Sequence, residues 1–404
     1  MNVSEFPKIS IRKGRDWQIK RGHPWLFSGA ISQAPKNVAP GSLVDLVDVE
    51  GTFVGRGFYN DGSDIAVRVL TTDGGEQIDK KFFQRRIKSA MASRMQKIDK
   101  QETNVFRLVN AEGDYLPGFI VDCFDDVLSV QSHTAGSDQL LDLFLCALSD
   151  EMTPKAIIVR NDVGARRREN LAIEEARLFS GFCDERMQVK ENGIPFYVNP
   201  LKGQKTGFFT DQRDKRLALA DYCRSMPADA VLLNCYSYSA SFSVYALCAN
   251  ANLRTINVDS SDRALTEAQA NYDLNAIEAG KHLFICQDVF QFFDKKDQNE
   301  KFDVVVLDPP AFAKTNKDKP RALKAYIRMI KNGIDACKTG ALMVIASCSG
   351  AVSMSDLEEC LRDAAGDTRR PVQIIEYFRH GVDHPVSAAA PETSYLKVLF
   401  CRVS

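Results

Sequence analysis

The 404-residue sequence has no unbroken apolar run of about 18 residues, so no segment reads as a transmembrane helix. Its first ten residues hold no apolar stretch of the kind a secretory signal needs. The eleven cysteines are scattered, with no C-x-x-C pair and no Cys/His cluster. That argues against a disulfide framework and against a structural metal site, and it suits a reducing compartment. A cytoplasmic protein without metal is expected. An excess of one charge is missing too: 52 Lys and Arg face 53 Asp and Glu, for a net charge of −1. A wholesale polycation that coats nucleic acid is thereby excluded, whereas a local basic face is not.

What is present is ordinary globular composition, 45% hydrophobic and 26% charged, long enough for two or three domains. Three segments are predicted, at 1–76, 77–186 and 187–404. In the first, Gly41–Val49 alternates with period two, and Thr52–Tyr59 and Ile65–Leu70 follow after turn residues. Short strands so punctuated predict a small β-barrel. The second opens with a helix from about Lys80 to Asp99, where Phe83, Ile87, Met91 and Met95 share one face. It continues as mixed α+β, with hairpin-like strands at Leu116–Asp122 and Val127–Gln131. The third starts with a hairpin at Met187–Val198. Apolar runs then alternate with helix-length segments: Val231–Cys235, Thr255–Val258, Leu283–Cys286, Val304–Leu307, Leu342–Ala346 and Leu396–Cys401. That pattern predicts an α/β domain, a mostly parallel sheet with helices on both faces.

Ligands of such sheets sit at the C-terminal strand ends. The loop after the first run carries Asn234, Tyr236, Ser237 and Ser239. Asp259 ends the second run, placed to accept both hydroxyls of a ribose. Asp288 follows the third, placed to meet an adenine edge, and Asp308 ends the fourth. The loop after the first run has no glycine, which counts against a dinucleotide, whose pyrophosphate needs bare backbone at a helix N-terminus. A cofactor without phosphate, such as S-adenosylmethionine, asks less of it. The competing reading is that each aspartate only caps the helix that follows.

Asp308-Pro309-Pro310-Ala311-Phe312 looks like a base-binding loop. The prolines fix the backbone so that carbonyls point at a planar amine, and Phe312 can stack a base taken out of its helix. The fifth run ends in Ala346-Ser347-Cys348-Ser349-Gly350, which brings a thiol beside that loop. Carbon 5 of cytosine is a poor nucleophile until a thiolate adds at carbon 6, so a cysteine here is what methylation at carbon 5 requires. A buried structural thiol is the alternative.

Across the whole chain the sequence resembles the ribosomal RNA large subunit methyltransferase I family. The matching stretches are His23–Ala30, Leu116–Gly118, Lys205–Asp214, Leu233–Tyr238, Asp308–Pro310, Ser347–Gly350 and Asp383–Val386. The resemblance implies an N-terminal PUA domain, a central RNA-binding domain and a C-terminal Rossmann-like methyltransferase domain. It further implies S-adenosylmethionine as donor and a cytidine of 23S rRNA as substrate. On this basis Cys348 is the nucleophile and Asp308 its catalytic companion. Asn234, Tyr236, Ser237, Ser239, Asp259, Asp288 and Asp308 surround the cofactor, while Pro309, Pro310, Phe312, Lys314 and Lys317 meet the RNA. Three departures stand out. Ser239-Ala240-Ser241 replaces the family's Thr-Gly-Gly, which predicts restricted backbone approach to the methionine part. Ala311 stands where relatives carry Lys. No second cysteine occurs in the Asp-Pro-Pro loop, so one thiol must suffice.

RNA affinity in a near-neutral chain must come from clusters. These occur at Arg12–Arg21, along the helix from Lys80, at Arg166–Arg168, and from Lys314 to Lys331 beside the proposed base pocket. His23 and Trp25 are expected to hold the barrel together. A homodimer is left open, and no membrane partner is expected. Two other readings remain: methylation of an exocyclic base amine, which needs no thiol, and a non-catalytic RNA-binding assembly factor.

Overall fold

A computed structural model describes residues 6–203, 206–297 and 299–404. Lys205, which opens the Lys205–Asp214 stretch, lies outside the described residues. The chain divides into two compact units: Met1–Val189 with Val198–Thr210 and Val382–Thr393, and Lys190–Tyr197 with Asp211–Gly381 and Ser394–Ser404.

In the first unit, strands Lys8–Ile11, Trp25–Phe27, Ile31–Gln33, Leu43–Val47, Phe53–Tyr59 and Ile65–Thr71 form one six-stranded sheet. Their alternate apolar residues, Ile9, Ile11, Val44, Leu46, Val54 and Val67, make its core. Trp25 Nε1 donates to Glu112 at 2.8 Å, and Arg68 bridges Glu112 and Glu169 at 3.0 Å each. The Trp25 amide donates to His23 Nδ1 at 3.1 Å. Of the two residues expected to hold the barrel together, His23 bonds within it, while the Trp25 indole reaches Glu112 in the following segment. The helix that follows is Lys80–Met95, capped by Asp79, with Phe82, Phe83 and Ile87 buried. It packs on a five-stranded sheet built from Val105–Asn110, Phe119–Phe124, Val127–Ser132, Ala156–Val159 and Arg177–Gly181.

Some members of two of the basic clusters read from sequence are engaged within the fold, while Lys81, Lys88, Arg167 and Arg168 stay exposed. Lys80 pairs with Asp150 and Arg85 with Glu76. Arg94 is wholly buried, donating to both oxygens of Asp114 at 2.5 and 2.6 Å. Arg166 is buried as well, held by Asp138 and the Ser132 carbonyl. A charged side chain taken out of water in this way needs its carboxylate partner and has none of its charge to offer phosphate.

The second unit holds a seven-stranded sheet: β1 Val231–Cys235, β2 Arg254–Asp259, β3 Leu283–Cys286, β4 Phe302–Leu307, β5 Cys337–Ser347, β6 Val372–Phe378 and β7 Lys397–Val403. The helices are α1 Arg213–Cys223, α2 Ser241–Ala249, α3 Asp262–Leu274, α4 Val289–Lys295, α5 Lys319–Ala336 and α6 Met354–Thr368. Strand order is β3-β2-β1-β4-β5-β7-β6. The first five strands are parallel, and β7 runs antiparallel to both β5 and β6. Leu233, Val258, Val305, Met343, Ile345 and Leu399 fill the core. Buried residues at Ala322, Tyr326, Met329, Ile330, Gly333 and Ile334 give α5 one apolar face. A Cβ at Gly333 would stand 2.7 Å from a Leu307 methyl, so glycine lets α5 settle on β4. Strand β6 escaped sequence reading because it is an edge strand with exposed positions interleaved along it, including Gln373, Ile375 and Tyr377, and no continuous apolar run.

Candidate active site

The strand order reverses between β1 and β4, and the crevice at their C-terminal ends is where an open α/β sheet binds ligands. The loop after β1 has an unusual backbone: Tyr236, Tyr238 and Ala240 all adopt left-handed conformations, with φ of 58°, 46° and 56°. Each costs a non-glycine residue about 1–2 kcal/mol, so the surrounding bonds must hold them. The Tyr238 amide donates to Asp259 Oδ2 at 2.9 Å, the Ser237 amide to the Val258 carbonyl at 3.1 Å, and the Ala240 amide to the Ser237 carbonyl at 2.8 Å. The loop thus takes a glycine-like path without glycine.

Within it the hydroxyls of Tyr236, Ser237 and Ser239 are buried and have no hydrogen-bond partner among the described residues. Buried polar atoms left unpaired are costly, and three in one loop, at this strand end, fit a polar ligand such as the methionine and ribose parts of S-adenosylmethionine. Burial also pushes the Tyr236 phenol far up, so it acts as a neutral hydroxyl.

Asp259 is no helix cap. Its oxygens take the Tyr238 and Ser261 amides, while α3 is capped by Ser261, whose hydroxyl accepts from the Ala264 amide. Asp288, by contrast, does cap α4: it is exposed and accepts from the Gln291 amide at 3.1 Å. The Asn234 side chain is committed to a buried network, donating to Ser243 at 3.0 Å, whose hydroxyl donates to Asn257. Asp308 accepts from Gln212 Nε2 at 3.0 Å.

The thiol and the Asp-Pro-Pro loop meet. Cys348 is only partly buried, and its Sγ lies 3.7 Å from the Pro309 carbonyl. The Ser349 hydroxyl accepts the Ala313 amide at 3.2 Å and lies 3.1 Å from the Tyr326 hydroxyl, tying the two loops and α5 together. Cys235 is fully buried at the end of β1, where burial pushes its thiol up. Phe312 rests against Tyr326 with ring centroids 4.8 Å apart, so part of the ring is engaged in packing. Lys314 and Lys317 are exposed, with Arg321 and Lys324 further along, but Lys319 is tied to Asp356 at 2.8 Å.

Gln212, Ser349, Tyr326 and Lys397 were not read from sequence as site residues. For Lys397 there was a signal, a single charge inside the apolar run Leu396–Cys401.

A doubly wound sheet with an antiparallel last strand inserted beside its edge, an acidic residue ending β2 and Asp-Pro-Pro ending β4 define an S-adenosylmethionine-dependent methyltransferase. The comparisons agree. Residues 160–372 match the family model described as S-adenosylmethionine-dependent methyltransferase, and residues 9–72 match that of a PUA-like domain. The chain is 36% identical over 404 residues to the ribosomal RNA large subunit methyltransferase I of Klebsiella pneumoniae, covering all of both chains. It is 37% identical to that of Alteromonas mediterranea, covering 98% of this chain and 99% of the other. The chain belongs to the ribosomal RNA large subunit methyltransferase I family. Its fold is shared by a protein assigned as a SAM-dependent methyltransferase from Streptococcus mutans, with a TM-score of 0.83 at 21% identity, covering 98% of this chain and all of the other. A protein assigned as a methyltransferase and solved in complex with SAH gives a TM-score of 0.84, also at 21% identity and the same coverage.

Proposed function

We propose that this protein methylates carbon 5 of a cytidine in 23S rRNA, with Cys348 as the covalent nucleophile. The observation that carries the reading is the Cys348 thiol 3.7 Å from the Pro309 carbonyl, on the loop that Asp308 opens. S-adenosylmethionine supplies an electrophilic methyl group on a sulfonium. The Cys348 thiolate adds to carbon 6, and the electron pair of the 5,6 double bond becomes available at carbon 5 for the methyl group. Loss of the carbon-5 proton then returns the pair to the ring and expels the thiolate. Asp308, steadied by Gln212, suits the cytosine amino group, since carboxylates accept from that amine. Asp259 and the hydroxyls of Tyr236, Ser237 and Ser239 hold the donor. Asp288 contributes at the adenine end with whatever capacity its capping bond leaves, and Asn234 through the loop it anchors.

The three-part division at 1–76, 77–186 and 187–404 belongs to the same reading, with the first two parts gripping RNA. Lys314 and Lys317 meet phosphate beside the target, and Pro309, Pro310 and Phe312 meet the base. A ribosomal substrate sets the reaction in the cytoplasm. The test is nucleoside mass spectrometry of 23S rRNA incubated with protein and donor. 5-Methylcytidine is expected; a methyl group on an exocyclic amine overturns the reading, and no methylation at all points to an assembly factor.

A further inference from the structure

Strand β7 carries two charges, Arg402 near its end and Lys397 at its start, and Lys397 faces Ser347 across the antiparallel ladder with β5, one residue before Cys348. Lys397 is 4% exposed. Its Nζ donates to the Ser349 and Tyr395 carbonyls, both at 2.7 Å. The Tyr395 segment is itself fixed, because the amides of Tyr395 and Leu396 donate to His380 Nε2 at 3.1 and 3.0 Å. Lys397 therefore grips the carbonyl of the residue that follows Cys348 and that of the segment leading into β7. No carboxylate forms a salt bridge with it among the described residues. A buried ammonium without an anion is unfavourable, and it resolves by losing its proton or by gaining an opposite charge. The two carbonyl bonds do not decide between these, since a neutral amine also has two N–H groups to donate.

The position of Lys397 decides it: it is bonded to the residue after Cys348 and stands opposite the residue before it. Burial lowers its pKa to about 8, and the strongest opposing influence is a Cys348 thiolate, ahead of Asp356 on α6; Arg379, after β6, pushes the other way. Asp356 is already engaged by Lys319. An ammonium at Lys397 and a thiolate at Cys348 thus each favour the charged form of the other.

We propose that Lys397 is a positioning residue that holds Cys348 as its thiolate and aims it by anchoring the Ser349 carbonyl. The inference rests on Cys348 being the nucleophile, and its test is independent of RNA. An ordinary thiol is only a few per cent ionised at neutral pH, so a paired ammonium raises the reactive fraction directly.

The test is the pH dependence of iodoacetamide alkylation of Cys348 in the full-length protein, followed by peptide mass spectrometry. The exposed Cys146, Cys248 and Cys286 are read separately as internal controls. Lys397→Gln keeps a donor but no charge. It should raise the apparent pKa of Cys348 by about 1 and slow its alkylation at pH 7 about tenfold, leaving the control thiols unchanged. Lys397→Arg should restore most of the wild-type profile. If the Gln protein does not fold, Lys397→Met, similar in length and uncharged, gives the same reading. A wild-type profile in the uncharged variant overturns the proposal. A Lys397-dependent profile in a protein that forms no RNA adduct would uphold the ion pair and sink the carbon-5 reading; an adduct with a Lys397-independent profile would do the reverse.

Discussion

The two oxygens of Asp259 take the amides of Tyr238 and Ser261, each at 2.9 Å. One carboxylate at the end of β2 thereby fixes the left-handed turn of the loop after β1 as well as the start of the next connection. It does so at the position where an α/β sheet presents an acidic group to a ribose. The same residue therefore shapes the loop and, under the proposed function, receives the cofactor.

Asp259→Ala should weaken S-adenosylmethionine binding by removing a charged acceptor worth about 1.5–3 kcal/mol, or roughly ten- to a hundred-fold in Kd. Calorimetry on the folded variant is the measurement. An unchanged Kd would mean that another group holds the ribose.

Replacing the left-handed alanine tests how the loop manages without glycine. Ala240 is fully buried at φ 56°. Ala240→Gly relieves about 1–2 kcal/mol of backbone cost but adds unfolded-state entropy of about 0.4–1 kcal/mol, so a stability change between zero and about 1.6 kcal/mol in the stabilising direction is expected. Ala240→Val combines a β-branched side chain with that φ and with a filled site, and it should destabilise by more than about 2 kcal/mol. Thermal melts decide. Equal melting temperatures for the two variants would show that residue 240 does not need this conformation.

These loops also show what the sequence could reveal. Parallel strands buried on both faces appear as apolar runs, so β1 to β5 and β7 were legible, and so was the thiol at the end of β5. Backbone path was not. Lost glycines at 239–241 suggested a restricted loop, yet hydrogen bonds from distant residues hold Tyr236, Tyr238 and Ala240 in the glycine-favoured region. Partnership was hidden as well. Arg166 in a run of three arginines and Lys319 in a basic stretch look alike on paper, but their carboxylates, Asp138 and Asp356, lie 28 residues before and 37 residues after them. Asp288 and Asp259 likewise end or follow strands in the same way, and only their bonding separates a helix cap from an aspartate that caps no helix.

The pairing of Lys319 sharpens the expectation for RNA. Lys314→Ala and Lys317→Ala should each lower the salt slope of RNA binding by about 0.7–0.9 and leave donor affinity alone. Lys319→Ala should change the slope less, since its ammonium is paired with Asp356 at 2.8 Å. Filter binding across a salt series measures it. Three equal losses would show that the ion pair opens on RNA, and no loss at any position would make the stretch mere solvated surface.

The last expectation concerns the covalent step. Carbon 5 cannot take the methyl group until a thiolate has added at carbon 6, and the adduct breaks down only when the carbon-5 proton leaves. Fluorine in place of that hydrogen blocks the exit, so RNA carrying 5-fluorocytidine at the target should remain joined to the protein on a denaturing gel when S-adenosylmethionine is present. Cys235 ends β1 and Cys348 follows β5, the strands on either side of β4, and burial separates them. Cys235 is sealed beneath the cofactor loop, with its thiol pushed up by desolvation, whereas Cys348 is partly exposed against the Asp-Pro-Pro carbonyl. Cys348→Ser should therefore abolish the band and Cys235→Ser should keep it. A band that survives Cys348→Ser would transfer the nucleophile's role elsewhere, and the absence of any band from a wild-type protein that still methylates would move the methyl group off carbon 5.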